Sequence, residues 1–323
     1  GMSALPLLAC AHERGIPWRH LGAGVFQLGW GAHRVQILHS KVDSDSALGV
    51  AVAQNKWVAS EWMRRAGLPA PLHRLVGNEM EAVAAQSTGE GVTVDITSET
   101  ALGSAFRQAS GLSSQVLVER QVRGVCHRLL VVRGEVLYAV KRLPIAVQGD
   151  GQRTISELIA AANAVQLALP SWARAPLYPS DEPALACLQQ ADWNLDSVPP
   201  TGVWAALRRI ESTQWGGLDE DYSASLHPDN AAIACQAAAL FGLDVAGVDI
   251  ISPDITRAWH ENGAIINEVN SAPVLGQSDS SRRSLPHVLT RLLPAEGRIS
   301  IEVCVGASQA LQMARECQQS WQE

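Results

Sequence analysis

The sequence contains no run of about 18 apolar residues, the length a helix needs to cross a bilayer, and its N-terminus lacks a basic stretch followed by an apolar one. A membrane span and a secretory leader are therefore not expected. Basic residues are also scarce. The 25 Lys and Arg are outnumbered by 32 Asp and Glu, for a formal net charge of −7 and a pI near 5.7. That balance argues against a dedicated nucleic-acid surface, which needs clustered cations to neutralise phosphates. Six cysteines (Cys10, Cys126, Cys187, Cys235, Cys304 and Cys317) are scattered without the CxxC or Cys/His spacing of a zinc site or a disulfide framework. Reduced thiols in a cytoplasmic protein are the simplest reading. No Ser/His/Asp or Cys/His arrangement stands out, and the nine histidines are dispersed, so a protein nucleophile is not expected.

What is present is ordinary globular composition: 323 residues, 47% apolar and 18% charged, enough for two or three lobes around a large core. LPLLACAHERG suggests a first helix, and IPWRHLG and VFQLGWGAHRVQIL read as strands broken by glycine. Residues 51–65 have helical apolar spacing, stopped at Gly67-Leu68-Pro69. GVTVDI (91–96) is strand-like, and a helix is expected from about Ser98. Residues 116–147 are rich in strand formers, with a hairpin turn at Arg133-Gly134. A helix follows Gly149-Asp150-Gly151, residues 164–200 read as an irregular insertion, and a helix covers 228–242. Strands at 247–252 and 263–270 flank a turn around Glu261-Asn262-Gly263.

Glu268 and Asn270 lie two apart on the last of these strands, and the two-residue period of a strand points both to one face. Asp249, on the preceding strand, can add a third hard oxygen, which suits Mg²⁺ held partly by protein and partly by nucleotide phosphates. A Glu-x-Asn pattern alone also fits a solvated face. An aspartate within an apolar strand weighs against that, because charges are rarely buried without a partner.

GLDVAGVDIIS…INEVNSAPVLG resembles the magnesium-binding end of ATP-grasp enzymes. Upstream, ERGIPWRHL…VFQLGWGAHRVQIL…NKWVASEWMRRAGLPAP, VLVERQVRGVCHRLLVVRGEVLYAVKRLPIAVQGDGQRTISELI and SVPPTGVWAALRR…WGG resemble, in order, the ATP-grasp portion of the cyanophycin synthetase family. The resemblance runs from about Glu13 to Gly276. It implies an α+β fold of the ATP-grasp type, two α+β lobes clasping ATP. Residues 1–48 would form a short N-terminal αβ segment, 49–117 the first lobe and 118–292 the second. Residues 293–323 would form a βα tail, a remnant of a Mur-ligase-like domain.

Carried over by position, the resemblance implies that Lys56 contacts ATP phosphates. Glu119, Arg120 and Val122 would read the adenine edge, and Gly89-Glu90-Gly91 would end a mobile phosphate lid. Asp249, Glu268 and Asn270 would bind Mg²⁺. Arg208 would face the acyl-phosphate as the catalytic cation, while Arg128 and Arg142, with Gly149-Asp150-Gly151, would support the site. Cys126 stands where relatives place an acidic residue toward the ribose, a departure that puts nucleotide orientation in question.

The implied activity is an ATP-dependent, ADP-forming carboxylate–amine ligase working through an acyl-phosphate, with ATP and Mg²⁺ as cofactors and small carboxylates and amino acids or peptides as substrates. A homo-oligomer is compatible with it. Two departures matter. NEMEAVAAQ runs straight into STGEGVTVD where relatives have a strand ending in Lys-Pro, so either the strand is truly deleted between Gln86 and Ser87 or the sequence lacks a segment. A true deletion favours a non-catalytic or regulatory ATP-binding protein. GRISIEVCVG (297–306) resembles the first strand of a Mur-ligase-like half, but ASQALQ lacks the Gly-Lys-Thr of a phosphate loop, so one ATP site is expected.

Overall fold

The computed structural model describes residues 3–76, 99–111, 116–119, 122–169, 174, 176–208, 218–299, 303, 305–306 and 308–320. The expected strand 91–96, the Gln86-Ser87 junction, Gly89-Glu90-Gly91 and Arg120 lie outside them.

The chain begins with helix α1 (Ala4–Glu13) and a four-stranded antiparallel sheet, β1 (Trp18–Gly22), β2 (Val25–Leu28), β3 (Val35–Leu38) and β4 (Lys41–Val42), in that order. Where one helix was expected at 51–65 there are two, α2 (Ala47–Ala53) and α3 (Lys56–Arg65). The break has a local cause. The side chain of Asn55 accepts from the amide of Val58 at 3.1 Å, capping a new helix in the middle of the periodic stretch. Gly49 of α2 lies so close to the chain at Phe241 that a Cβ there would sit 1.6 Å from the Phe241 carbonyl oxygen.

Strand β5 (His73–Val76) pairs antiparallel with β6 (Val116–Glu119), and α4 (Glu99–Ser110) packs on β6. Strands β7 (Val125–Val132) and β8 (Glu135–Leu143) form the expected hairpin, with φ of 46° at Arg133 and 76° at Gly134. Two consecutive left-handed residues match the right-handed twist of the strands they join. A small outlying unit follows: β9 (Ala146–Gln148), α5 (Ile155–Ala168), α6 (Glu182–Gln190) and β10 (Trp204–Ala206), the two strands pairing antiparallel around their own core. The insertion is thus less irregular than its composition suggests. Its helix α6 is nucleated by Asp181, which accepts from the amide of Ala184.

The remaining elements are β11 (Leu218–Asp221), α7 (Pro228–Leu240), β12 (Val245–Ser252), α8 (Trp259–Asn262), β13 (Ile265–Asn270), α9 (Asp279–Leu292) and α10 (Ser308–Ser320). The strands complete a five-stranded antiparallel sheet in the order β11-β8-β7-β12-β13. The sheet has two differently used faces because side chains alternate along each strand. Leu129, Val131, Ala139, Ala246, Val248 and Ile250 point one way and bury against α7 and Met63 of α3. Leu130, Val132, Tyr138, Val140 and Val245 point the other way and bury against α1, α9, β2 and β3. The N-terminal segment therefore shares its core with the large sheet. Further along that second face the apolar cover ends and the polar residues of the candidate site begin.

Candidate functional site

Asp249 stands directly across from Arg128 on β7 and from Glu268 on β13, and Gly247 stands across from Asn270. Cross-strand partners share a face, so Arg128, Asp249, Glu268 and Asn270 converge as the spacing requires. Between Asp249 and Ile250 the pairing slips, leaving Asn267 as an extra residue on β13. This bulge returns Ile266 to the apolar face opposite Ile250 while keeping Glu268 on the polar one.

The guanidinium of Arg128 grips both oxygens of Asp249, one through Nε and the other through Nη2 at 2.7 Å. Burial works against the Arg128 charge, but the Asp249 carboxylate more than offsets it and holds the guanidinium protonated. Gly247 makes room for this pair, since a Cβ there would meet Arg128 Nη1 at 2.9 Å. In the amide orientation that satisfies both its ends, Asn270 donates to Glu268 Oε1 at 3.1 Å and accepts from Arg128 Nη2 at 3.2 Å. Burial, and next the charge of Asp249, push the Glu268 carboxyl up, while Arg128, Lys56 and Arg142 oppose the rise.

Lys56 joins this group from α3, at the N-terminal end of the helix that Asn55 caps. Its Nζ lies 2.9 Å from Oε2 of Glu119, whose side chain is only 4% exposed at the end of β6. Lys56 thus links Glu119 to Glu268 electrostatically across two sheets. Cys126 occupies β7 two residues before Arg128, on the same face. Val122 is half-buried just before that strand.

Arg142 lies on β8 opposite Asp219 of β11. Asp219, Tyr138 and Ser278 were not singled out from the sequence. The alternation of LDED on an edge strand, which sends Asp219 and Asp221 to one face, is the signal that could have found the first. Ser278 donates to Asp219, and Tyr138 is hydrogen-bonded to Ser281. Arg208 belongs to the outlying unit, where its Nη2 is held by Asp181 Oδ2 at 2.7 Å and its Nη1 donates to the Leu207 carbonyl at 2.9 Å. Asp150 accepts from the backbone and side chain of Arg153 and the backbone of Gln152, which hold its carboxyl well below the usual range and close the turn into α5.

The donors fit a magnesium ion. Asp249, buried, and Glu268, half-buried, are two carboxylates facing each other in register, and their mutual repulsion is the kind of charge that a hard cation offsets. Among the described residues no group of three His, Cys, Asp or Glu could hold a metal. Such an ion would therefore draw on Asn270 and on nucleotide oxygens as well. No described helix is long and apolar enough to cross a membrane.

No protein-family profile matches the chain. Individual proteins do. A cyanophycin synthetase from Trichormus variabilis is 30% identical over 332 residues, covering 95% of this chain and 37% of the relative. One from Geminocystis herdmanii is 31% identical over 305 residues, covering 88% and 35%. The chain thus spans little more than a third of the length of the curated relatives it matches. The first alignment, at 332 residues, is longer than this chain at 323, so that relative has residues without a counterpart here. Among solved structures, a bifunctional glutathione synthetase from Pasteurella multocida superposes with a TM-score of 0.70 at 21% identity, over 89% of this chain and 44% of that one. The chain is therefore a homologue of the cyanophycin synthetases, with the ATP-grasp fold.

Proposed function

We propose that this chain is an ATP-dependent carboxylate–amine ligase of the ADP-forming kind. The observation that carries the proposal is the convergence of Asp249, Glu268, Asn270 and Arg128 on one sheet face, with the Lys56–Glu119 pair within electrostatic reach. In the proposed reaction a substrate carboxylate oxygen attacks the γ-phosphorus of ATP, and ADP leaves. The amine then attacks the acyl carbon, losing a proton, and phosphate departs to leave an amide. Magnesium, when bound, would offset the charge on the transferring phosphoryl group.

The residues of the chain supply positions and charge. Asp249, Glu268 and Asn270 would hold the metal, and Arg128 would keep Asp249 aimed. Lys56 would contact the phosphates, with Glu119 fixing it and, beside Val122, reading the adenine edge. Arg208 would have to exchange Asp181 for the acyl-phosphate, a swap between two anions. The substrates would be a small carboxylate and an amino acid or peptide amine. Among the described residues Cys10, Cys126, Cys187 and Cys235 form no disulfide, which suits a cytoplasmic site of action.

Purified protein with Mg-ATP should release little ADP alone, because positioning of an acceptor supplies much of the rate. Acidic and basic amino acids and short peptides, offered in pairs, should stimulate ADP release with phosphate and an amide as products. Arg208→Ala should keep ATP binding and lose most of the stimulation. Saturable ATP binding with no stimulation across the panel would replace this reading with that of a non-catalytic nucleotide binder.

A further inference from the structure

The stretch that follows Asn270 is held by residues far away in sequence. The carbonyl of Pro273, a buried residue, accepts from the hydroxyl of Ser40 at 2.6 Å and from that of Ser3 at 3.4 Å. Ser3 Oγ in turn accepts from the amide of Leu275 at 3.0 Å. Both serines are buried, and they lie 233 and 270 residues from Pro273. Pro6 of α1 covers Gly276, where a Cβ would meet the Pro6 Cβ at 2.4 Å, and Ser281 of α9 accepts from the Gly276 amide at 2.8 Å. Residues 271–276 are therefore clamped between the N-terminal segment and α9.

Ser40 reaches Pro273 from a tight turn. Leu38 of β3 pairs with Lys41 of β4, so His39 and Ser40 alone make the connection, and His39 takes a φ of 61° to close it. Few side chains adopt that left-handed conformation.

Pro273 borders the candidate metal site. Gly247 lies on β12 midway between Val245, which is buried in the apolar core, and Asp249. A Cβ at Gly247 would meet Pro273 Cβ at 3.0 Å and Arg128 Nη1 at 2.9 Å, so the proline ring and the guanidinium flank the same spot. Arg128 grips Asp249 from there. A row of neighbours thus runs from Ser40 through Pro273 to Arg128 and Asp249, and Asn270 is three residues before Pro273 in the chain. Apolar burial is non-directional, whereas a short hydrogen bond fixes where its two groups sit. Magnesium tolerates little displacement of its oxygens, and the residues that hold its ligands in place affect its affinity.

We propose that Ser40 is a positioning residue of the metal site: its hydroxyl fixes Pro273, and Pro273 in turn sets the place of Arg128 and Asn270. This rests on the reading of Asp249, Glu268 and Asn270 as magnesium ligands, and it joins the N-terminal segment to that site.

The test reads metal dependence apart from folding. Binding of a non-hydrolysable ATP analogue is measured by calorimetry in EDTA and across a Mg²⁺ titration, on wild type, Ser40→Ala and Ile37→Val, with the melting temperature of each. Ile37 is buried on β3, so losing its methylene loosens the same segment without touching the hydroxyl. In Ser40→Ala the Mg²⁺ concentration that half-saturates binding should rise about tenfold. Affinity in EDTA should stay as in wild type, and Ile37→Val should keep the wild-type magnesium requirement. If Ser40→Ala does not fold, Ser3→Ala removes the other donor to the same carbonyl and should show the same shift to a smaller degree. An unchanged magnesium requirement in the serine variant, an equal loss of affinity in EDTA, or an equal shift in Ile37→Val overturns the proposal. Wild type that binds no analogue, or binds it regardless of Mg²⁺, overturns the proposal together with the metal reading. A magnesium requirement that depends on Ser40, in a protein with no stimulated ADP release, sinks the ligase reading and leaves the role of Ser40 standing.

Discussion

Arg128 and Asp249 face each other across β7 and β12 in a two-pronged ion pair, with side chains only 12% and 6% exposed. Both charges are out of water, and a second carboxylate, Glu268, stands beside them. Removing the guanidinium would leave two facing acids with no compensation between these strands. Arg128→Met should lower stability by about 3–5 kcal/mol near neutral pH. In that variant the Glu268 carboxyl, already raised, would lose the opposing influence of Arg128 and rise further, so the deficit should grow as pH rises and shrink in acid. Added Mg²⁺ should recover part of it by binding the folded state. Denaturant melts across pH, with and without the ion, check all three points.

Glu268 gives the opposite sign. Its folded value is raised above the ordinary 4.5 by burial and by Asp249, so the ionised form is disfavoured by folding. The cost is absent below the ordinary value and develops as pH climbs through the raised one. Glu268→Gln should therefore be at least as stable as wild type at neutral pH, with the two converging below about pH 4. Stimulated turnover should fall by about a hundredfold or more. A variant that loses stability at neutral pH would show that Glu268 serves the fold.

Lys56 and Glu119 allow fold and function to be separated. Lys56→Met deprives a nearly buried carboxylate of its ammonium, which should destabilise the protein and weaken ATP binding together. Adding Glu119→Gln should return most of the stability without returning ATP affinity. Recovery of both in the double variant would remove Lys56 from the nucleotide site.

Gly247→Ala tests the packing that aims Arg128. The new methyl would meet Arg128 Nη1 at 2.9 Å and Pro273 Cβ at 3.0 Å. The guanidinium must shift, at a cost of about 1–3 kcal/mol, and ATP affinity in the presence of Mg²⁺ should drop. Unchanged affinity would mean that the Arg128–Asp249 geometry is not needed for the metal.

The metal-site residues were legible in the sequence because strand periodicity is local. Glu268 and Asn270 share a face by their spacing alone, and Asp249 on the neighbouring strand follows once the 253–263 connection is read as a hairpin. The hairpin at Arg133-Gly134, the helix over 228–242 and the N-terminal strands are legible for the same reason. The break between α2 and α3 was missed because the apolar spacing runs on through it, and one capping side chain, Asn55, outweighs that periodicity. Helix α6 was missed because proline and serine nearby mask a short segment whose stability comes from burial against α5. Tertiary structure alone decided the rest. Arg128 is 121 residues from Asp249 and Lys56 is far in sequence from Glu119, so nothing in local spacing pairs them. Only the strand order β11-β8-β7-β12-β13 sets Asp219 across from Arg142 and Asp249 between Arg128 and Glu268. Strand order depends on which faces bury together, and that is settled by the whole core at once.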